Sequence, residues 1–309
     1  MQRVYEKVVM ETLLLYLLPT LIWGSTWLAI KFQLGVVPAE LSVAYRFALA
    51  AVLLFLYSRV RRLPLRFTFR QHGFMALQGL FLFSLNYLLV YLAEQHLSSG
   101  MVAMIFSTIV IANVVFGALF LRIPVKSQVV IGAFFGIAGI AVVFYPELAA
   151  FDLAGDGRGV ALALGSVFSA SLGNILSARN QRHDLPVIQT NAYGMAYGAL
   201  FMLALVGVTG TDFVFDPSFS YVSSLLYLAL FGSVIAFGAY LTLLGRIGPD
   251  RAAYIMVIFP VIALILSTLF EGMSWSPGRL LGVVLVLAGN TLVLRKDAKP
   301  AVPDPVPGD

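Results

Sequence analysis

Ten apolar runs, each near the length of a bilayer-crossing helix, follow one another between residues 13 and 294. They occupy residues 13–32, 41–57, 73–92, 99–121, 129–144, 159–178, 187–208, 222–244, 252–270 and 280–294. A hydrocarbon core of about 30 Å offers no partner for backbone N–H and C=O groups. Each run must therefore close its hydrogen bonds internally, as a helix of roughly 20 residues. The expected fold class is an all-α membrane protein with ten transmembrane helices. Hydrophobic residues make up 60% of the chain and charged ones 11%, at a mean hydropathy of +0.92, far from the balance of a soluble domain. The first run exceeds the roughly 7–15-residue core of a signal peptide, and no small-residue cleavage pattern follows it, so it reads as a retained span.

Alternating the loops between two sides sorts the basic residues. One side receives sixteen, including Arg59, Arg61, Arg62, Arg70, Arg122, Arg179 and Arg182, while the other receives only Arg158 and Arg279. Lys31 and Arg46 lie within or beside spans. The positive-inside rule then predicts a multi-pass membrane protein with both termini in the cytoplasm. The net charge of +5 reports topology and not nucleic-acid binding, because no continuous basic patch with stacking aromatics exists. Without cysteine, the chain has no disulfide, iron–sulfur or thiolate metal chemistry.

The ten runs form two sets of five. A shift of 148 residues aligns Pro38, Ala44, Tyr45, Ala48 and Ala51 with Pro186, Ala192, Tyr193, Ala196 and Ala199. A shift of 150 aligns Gly132, Ala138, Gly139 and Val143 with Gly282, Ala288, Gly289 and Val293. Two near-equal offsets at different places indicate duplication. An odd-numbered unit puts its second copy upside down, the geometry by which carriers expose one central site to each side in turn. The expected organisation is a first five-helix repeat at 1–145, an acidic Gly-bearing outer linker at 146–157, a second, inverted repeat at 158–295 and a Pro-rich, disordered cytoplasmic tail at 296–309. The short spans 129–144 and 280–294 hold no polar break and read as scaffold or dimer-contact helices outside any cavity.

No G-x-x-x-x-G-K-[ST] string occurs, so no nucleotide-driven pump is encoded. The string Gly155-Asp156-Gly157-Arg158-Gly159 follows no strand and reads as a turn. His72, His96 and His183 sit in loops or at span ends, and H-E-x-x-H and G-x-S-x-G are both absent. No catalytic residue, metal or cofactor is expected. Glu40, Glu94, Glu147 and Glu271 fall at outer span ends, leaving mid-membrane without a carboxylate to neutralise a cationic cargo. The small-molecule substrate should be neutral overall or zwitterionic, which suits amino acids.

Candidate substrate-binding residues follow from helical spacing. Ser84, Tyr87, Tyr91 and Glu94 form a 3-4-3 stripe on the third span, facing either a wet cavity or neighbouring helices. Trp23 and Trp27, four residues apart, offer ring surface or serve as packing anchors. Ser166, Ser169, Gly173 and Ser177 read as a close-packing stripe, with Asn174 beside it as the better polar contact. Tyr240 and Tyr254 are candidates for closing the cavity on the cytoplasmic side. Arg46 either pairs with an outer acid such as Glu40 or Glu94 or grips a substrate carboxylate, and Glu94 and His96 are the groups open to proton exchange.

Trp23-Gly24-Ser25, Ala44-Tyr45-Arg46-Phe47, Ile258-Phe259-Pro260-Val261-Ile262-Ala263, Glu271 and the Gly282 to Gly289 segment resemble the drug/metabolite transporter superfamily, EamA branch, over nearly the whole chain. Within it the run of sequence is similar to YddG-type exporters of aromatic and other amino acids. The resemblance implies two inverted five-helix repeats, spans one to four and six to nine around a cavity, and export by alternating access without ATP. One departure stands out: the family's Pro in the fourth span is Val110 here, and Arg122 follows that span in place of a Glu. Without a mid-membrane proton acceptor, the chain reads as a facilitator running down its substrate gradient. The alternatives are an exporter of drugs or other small metabolites and, from another class, a membrane scaffold or receptor. The expected partners are lipid bilayer and small molecule, with the chain a monomer or homodimer.

Overall fold

A computed structural model of the chain describes residues 2–122, 127–143, 145, 156–247 and 255–294. Tyr254, most of the 146–157 linker and the 296–309 tail lie outside the described residues. The described residues form ten helical spans and no strands. They are α1 (Gln2–Lys31), α2 (Ala39–Val60), α3 (Phe69–Gln78, Gly79–Leu85, Asn86–Glu94), α4 (Ser99–Phe106, Ile109–Leu121) and α5 (Ser127–Val143), then α6 (Asp156–Arg182), α7 (Val187–Thr209), α8 (Phe219–Tyr227, Leu228–Ile235, Ala236–Ile247), α9 (Ile255–Phe270) and α10 (Pro277–Leu294). Seven are long and apolar enough to cross a membrane by length and composition, and α5, α9 and α10 contribute shorter apolar helices.

Local chemistry starts the helices in matching ways. Pro38 and Pro186 precede α2 and α7, their missing N–H being one that a helix start leaves unbonded anyway. Thr68 and Ser218 cap α3 and α8: the Thr68 hydroxyl accepts from the Gln71 amide at 3.3 Å, and Ser218 from that of Tyr221 at 3.3 Å. Each of these helices then widens into a π-helical stretch, Gly79–Leu85 in α3 and Leu228–Ile235 in α8, starting and ending 149 and 150 residues apart.

Contacts between the halves are reciprocal, as a pseudo-two-fold axis requires. A Cβ on Gly139 of α5 would stand 2.7 Å from the Gly282 carbonyl of α10, and one on Gly289 would stand 2.5 Å from the Gly132 carbonyl. The roles of the paired positions are thus exchanged between the copies. Glycine at these places lets the two backbones touch, so α5 and α10 form one tightly packed pair. The same exchange occurs between α2 and α7. Tyr45 of α2 donates to the Val214 carbonyl before α8 at 3.1 Å, and Tyr193 of α7 donates to the Leu65 carbonyl before α3 at 2.8 Å.

Two features correct the expected plan. First, α4 breaks at Ser107 and Thr108 although it contains no proline. The Ser107 and Thr108 hydroxyls turn back to the carbonyls of Met104 and Ile105, each at 2.7 Å, and the Asn290 amide of α10 donates to the Ser107 carbonyl at 3.1 Å and hydroxyl at 2.9 Å. Side chains supply the hydrogen bonds that the helix gives up. Second, α2 packs against α7, behind the helices that enclose the cavity, and supplies none of its lining.

Candidate functional site

A cavity of 480 Å³ lies among α1, α3, α4, α6, α8 and α9, with Asn191 of α7 at its edge. Its chemistry is divided between helices. α1, α8 and α9 bring the rings of Trp23, Trp27, Phe237, Tyr240 and Phe259, and α3, α4, α6 and α7 bring all its side-chain amides, Asn86, Asn113, Asn174, Gln181 and Asn191. Tyr87 and Phe106 add two rings on the amide-bearing side. Among the described residues no charged side chain lines it. It extends towards the arginine-rich end of the bundle, since Gln181 and Gly117 stand in the closing turns of α6 and α4, near Arg182 and Arg122.

Ring packing and a few hydrogen bonds hold the apolar wall. Trp23 donates its indole N–H to the Gly232 carbonyl at 3.1 Å, within the π-helical stretch of α8, and meets Phe237 and Tyr240 at centroid distances of 5.1 and 5.3 Å. Trp27 stacks on Phe259 at 5.9 Å and tilts against Phe106 at 5.2 Å. Behind Tyr87, the Arg46 guanidinium sits 4.5 Å from the ring centroid and donates through Nε to the Ser233 hydroxyl at 3.3 Å; Ser233 in turn donates to the Leu228 carbonyl at 3.0 Å. That carbonyl is available because π-helical winding loosens the α-helical ladder there.

The sequence candidates separate accordingly. Trp23, Trp27, Tyr87, Asn174 and Tyr240 line the cavity. Ser84 lies in the π-helical stretch of α3, fully buried and away from the cavity. Tyr91 is also fully buried and donates its hydroxyl to Gln33 at 2.5 Å. Glu94 is 0% exposed at the end of α3, and neither carboxyl oxygen has a hydrogen-bond partner among the described residues. His96 is half-buried just beyond, against Gly159. The expected 84/87/91/94 stripe is therefore not one surface: Leu82, Asn86, Tyr87 and Val90 face the cavity instead. The π-helical stretch before Asn86 changes the helical phase between Ser84 and Tyr87, whereas Tyr91 and Glu94 share the regular helix Asn86–Glu94 with Tyr87 and lie one and two turns further on, fully buried. Arg46 is likewise not paired with Glu40 or Glu94. It is 1% exposed and turned inward, while Glu40 accepts from Thr211 at 3.0 Å.

Reading the sequence missed Asn86, Asn113, Gln181 and Asn191. Their signal was available in part, because an amide inside an apolar run must find a partner or water. Asn113, the sole amide in Ile109–Leu121, is the clearest case.

At the end away from the arginines, four helix termini meet. Lys31, closing α1, donates to the backbone carbonyls of Glu94 and Leu97, the latter at 2.7 Å, and lies 3.7 Å from the Glu271 carboxylate at the end of α9. Glu271 accepts the Ser99 amide at 3.1 Å and the Ser99 hydroxyl, at the first turn of α4. A carboxylate at a helix N-terminus also meets the positive end of the helix dipole. Gly24 packs on Ile262, and Gly100 packs on Ser267 and Leu264, so backbones touch on this side of the cavity.

Two inverted bundles around an uncharged central cavity define a membrane transporter of the drug/metabolite type. The chain belongs to the EamA-like transporter family, whose model matches residues 10–145 and again 157–295. The uncharacterized inner membrane transporter YedA of Escherichia coli (strain K12) is 32% identical over 289 residues, 92% of this chain and 90% of YedA. Protein PagO of Salmonella typhimurium is 24% identical over 281 residues, 91% and 92% of the two chains. A protein of the same organism named "Probable amino-acid metabolite efflux pump" is 24% identical over 282 residues, 89% and 92% of the two. One solved crystal structure superposes with a TM-score of 0.65 at 18% identity, covering 91% of this chain and 95% of its own, a likeness of fold.

Proposed function

We propose that this chain exports amino acids, aromatic and other neutral ones, across the bacterial inner membrane by alternating access, without ATP. The observation that carries this reading is the cavity wall: most rings from one set of helices, all amides from the other, and no charged side chain among the described residues. A lone cation or anion would lose hydration there with no counter-charge, whereas a zwitterion carries its own. The similarity to a probable amino-acid metabolite efflux pump and to an inner membrane transporter supports the same reading. With the arginine-rich end in the cytoplasm by the positive-inside rule, the cavity opens inward and the Lys31–Glu271 junction faces outward. This is the state that loads cargo for export.

The test is flux of labelled tyrosine, phenylalanine and alanine in vesicles containing only this protein, with and without a pH gradient. Saturable movement that Tyr87→Ala reduces is the expected result. Flux equal to that of empty vesicles for all three removes the reading.

A further inference from the structure

Inside the cavity Asn174 of α6 donates its amide to the Asn113 carbonyl oxygen of α4 at 3.3 Å, joining two helices across the amide-bearing side. A single bond between two carboxamides engages one N–H and one oxygen, and leaves the NH2 of one residue and the C=O of the other unengaged within the same bonded pair. Exchanging oxygen and nitrogen in both amides alters which residue offers which group but leaves that remainder unchanged. The other cavity amides are differently engaged. Asn86 donates to the Leu82 carbonyl of its own helix at 3.1 Å, and Asn191 accepts from Gln78, which itself accepts from Asn180, both at 3.0 Å.

We infer that the Asn113–Asn174 pair holds the head group of a zwitterionic substrate, its C=O receiving the ammonium and its NH2 donating to the carboxylate. The inference rests on the amino-acid reading above and deepens it by naming the residues that select the head group. A donor and an acceptor of one bonded pair, in a wall without charge, match adjacent opposite charges and leave a lone ammonium or lone carboxylate half matched. The ring cluster gives the rest of the substrate its place. Phe106 precedes Asn113 by seven residues across the break in α4, and it packs against Trp27, which in turn stacks on Phe259. A molecule seated by its head group on the amides therefore extends its side chain towards rings.

The experiment uses the full chain in vesicles and three labelled probes that share one ring: tyrosine, tyramine, which lacks the carboxylate, and 4-hydroxyphenylpropionate, which lacks the ammonium. The wild-type chain should move tyrosine in preference to both. Asn113→Leu and Asn174→Leu should each raise the KM for tyrosine about tenfold with a smaller change in kcat. Asn113→Asp replaces an amide by a carboxylate and should turn the preference towards tyramine, a gain that misfolding cannot imitate. Wild-type tyrosine flux with both Leu variants within about twofold of its KM overturns the inference and leaves the proposed function standing. Absence of wild-type tyrosine flux overturns the inference, and absence of phenylalanine and alanine flux as well overturns the proposed function too. Asn113→Asp protein that is folded, by an unchanged thermal transition, yet gains no tyramine flux also overturns the inference.

Discussion

Lys31 and Glu271, 3.7 Å apart, tie the ends of α1 and α9 together on one side of the cavity, the sole ion pair among the described residues. The repeat offsets of 149 and 150 residues place Asn180 and Leu121 at the equivalent positions. Asn180 donates to Gln78 at 3.0 Å, a neutral amide bond. Among the described residues an ionic junction with Ser99 and two backbone carbonyls thus closes the one end and an amide bond stands at the other, so the two differ in what must break for each to open.

Neutralising the junction should favour opening of that end. Lys31→Met or Glu271→Gln removes a partly buried pair worth about 1–2 kcal/mol, a shift of roughly 5–30-fold in the population open on that side. The chain has no cysteine, so Thr26→Cys in the cavity provides a single reporter. Its labelling by a membrane-impermeant maleimide, applied on the side of the Lys31 junction, should quicken by that factor in either variant. An unchanged rate would show that the junction does not hold the end closed.

The break in α4 depends on an amide from another helix. Asn290→Leu strips the Ser107 carbonyl and hydroxyl of their α10 donor in a buried place, which should destabilise the fold by about 1–3 kcal/mol. Ile109 and Phe106 flank the break and line the cavity, so flux should fall as well. Thermal unfolding and vesicle flux of the one variant check both effects.

Gly139→Ala should be costly without touching the cavity. Its new Cβ would stand 2.7 Å from the Gly282 carbonyl and 2.8 Å from the Val286 amide, and both are backbone atoms that cannot step aside. A loss of about 1–3 kcal/mol is expected from forcing α5 and α10 apart. Neither helix contributes to the cavity lining among the described residues, so the KM of the surviving folded protein should match wild type. A raised KM would tie α5 to the cavity.

Arg46→Lys should behave as a loss and not as a conservative change. The guanidinium plane stacks behind Tyr87 at 4.5 Å while Nε reaches Ser233, and an ammonium provides neither the plane nor the second donor direction. About 1–3 kcal/mol of stability should go, with a rise in substrate KM as Tyr87 loses its support. Tyr87→Phe, which keeps the ring, should leave stability near wild type. Unfolding curves of the two variants, compared side by side, decide the matter.

How far the fold was legible is plain in the second and seventh spans. Tyr45 and Tyr193 aligned at an offset of 148 in the bare sequence, and in the structure they make reciprocal bonds to Val214 and Leu65. The glycines aligned at 150 likewise reappear as exchanged contacts of α5 and α10. The site was legible only where a residue type signals by itself: Trp23, Trp27, Tyr87, Asn174 and Tyr240 stand in the wall. Ser84 was grouped with Tyr87 by an unbroken helical period that Gly79–Leu85 does not keep, and Tyr91 and Glu94, on the same regular helix as Tyr87, are buried outside the cavity lining.

The amino-acid order alone determined the all-α class and the repeat, because apolar run length and residue identity are properties of the chain that no packing has to supply. The tertiary structure alone decided that α2 stands behind the cavity, that α4 breaks without a proline, and that Asn113 meets Asn174. These depend on which neighbour lies against which face: a π-helical turn rotates a face, and a donor from α10 stabilises a break, at sequence separations no local pattern spans.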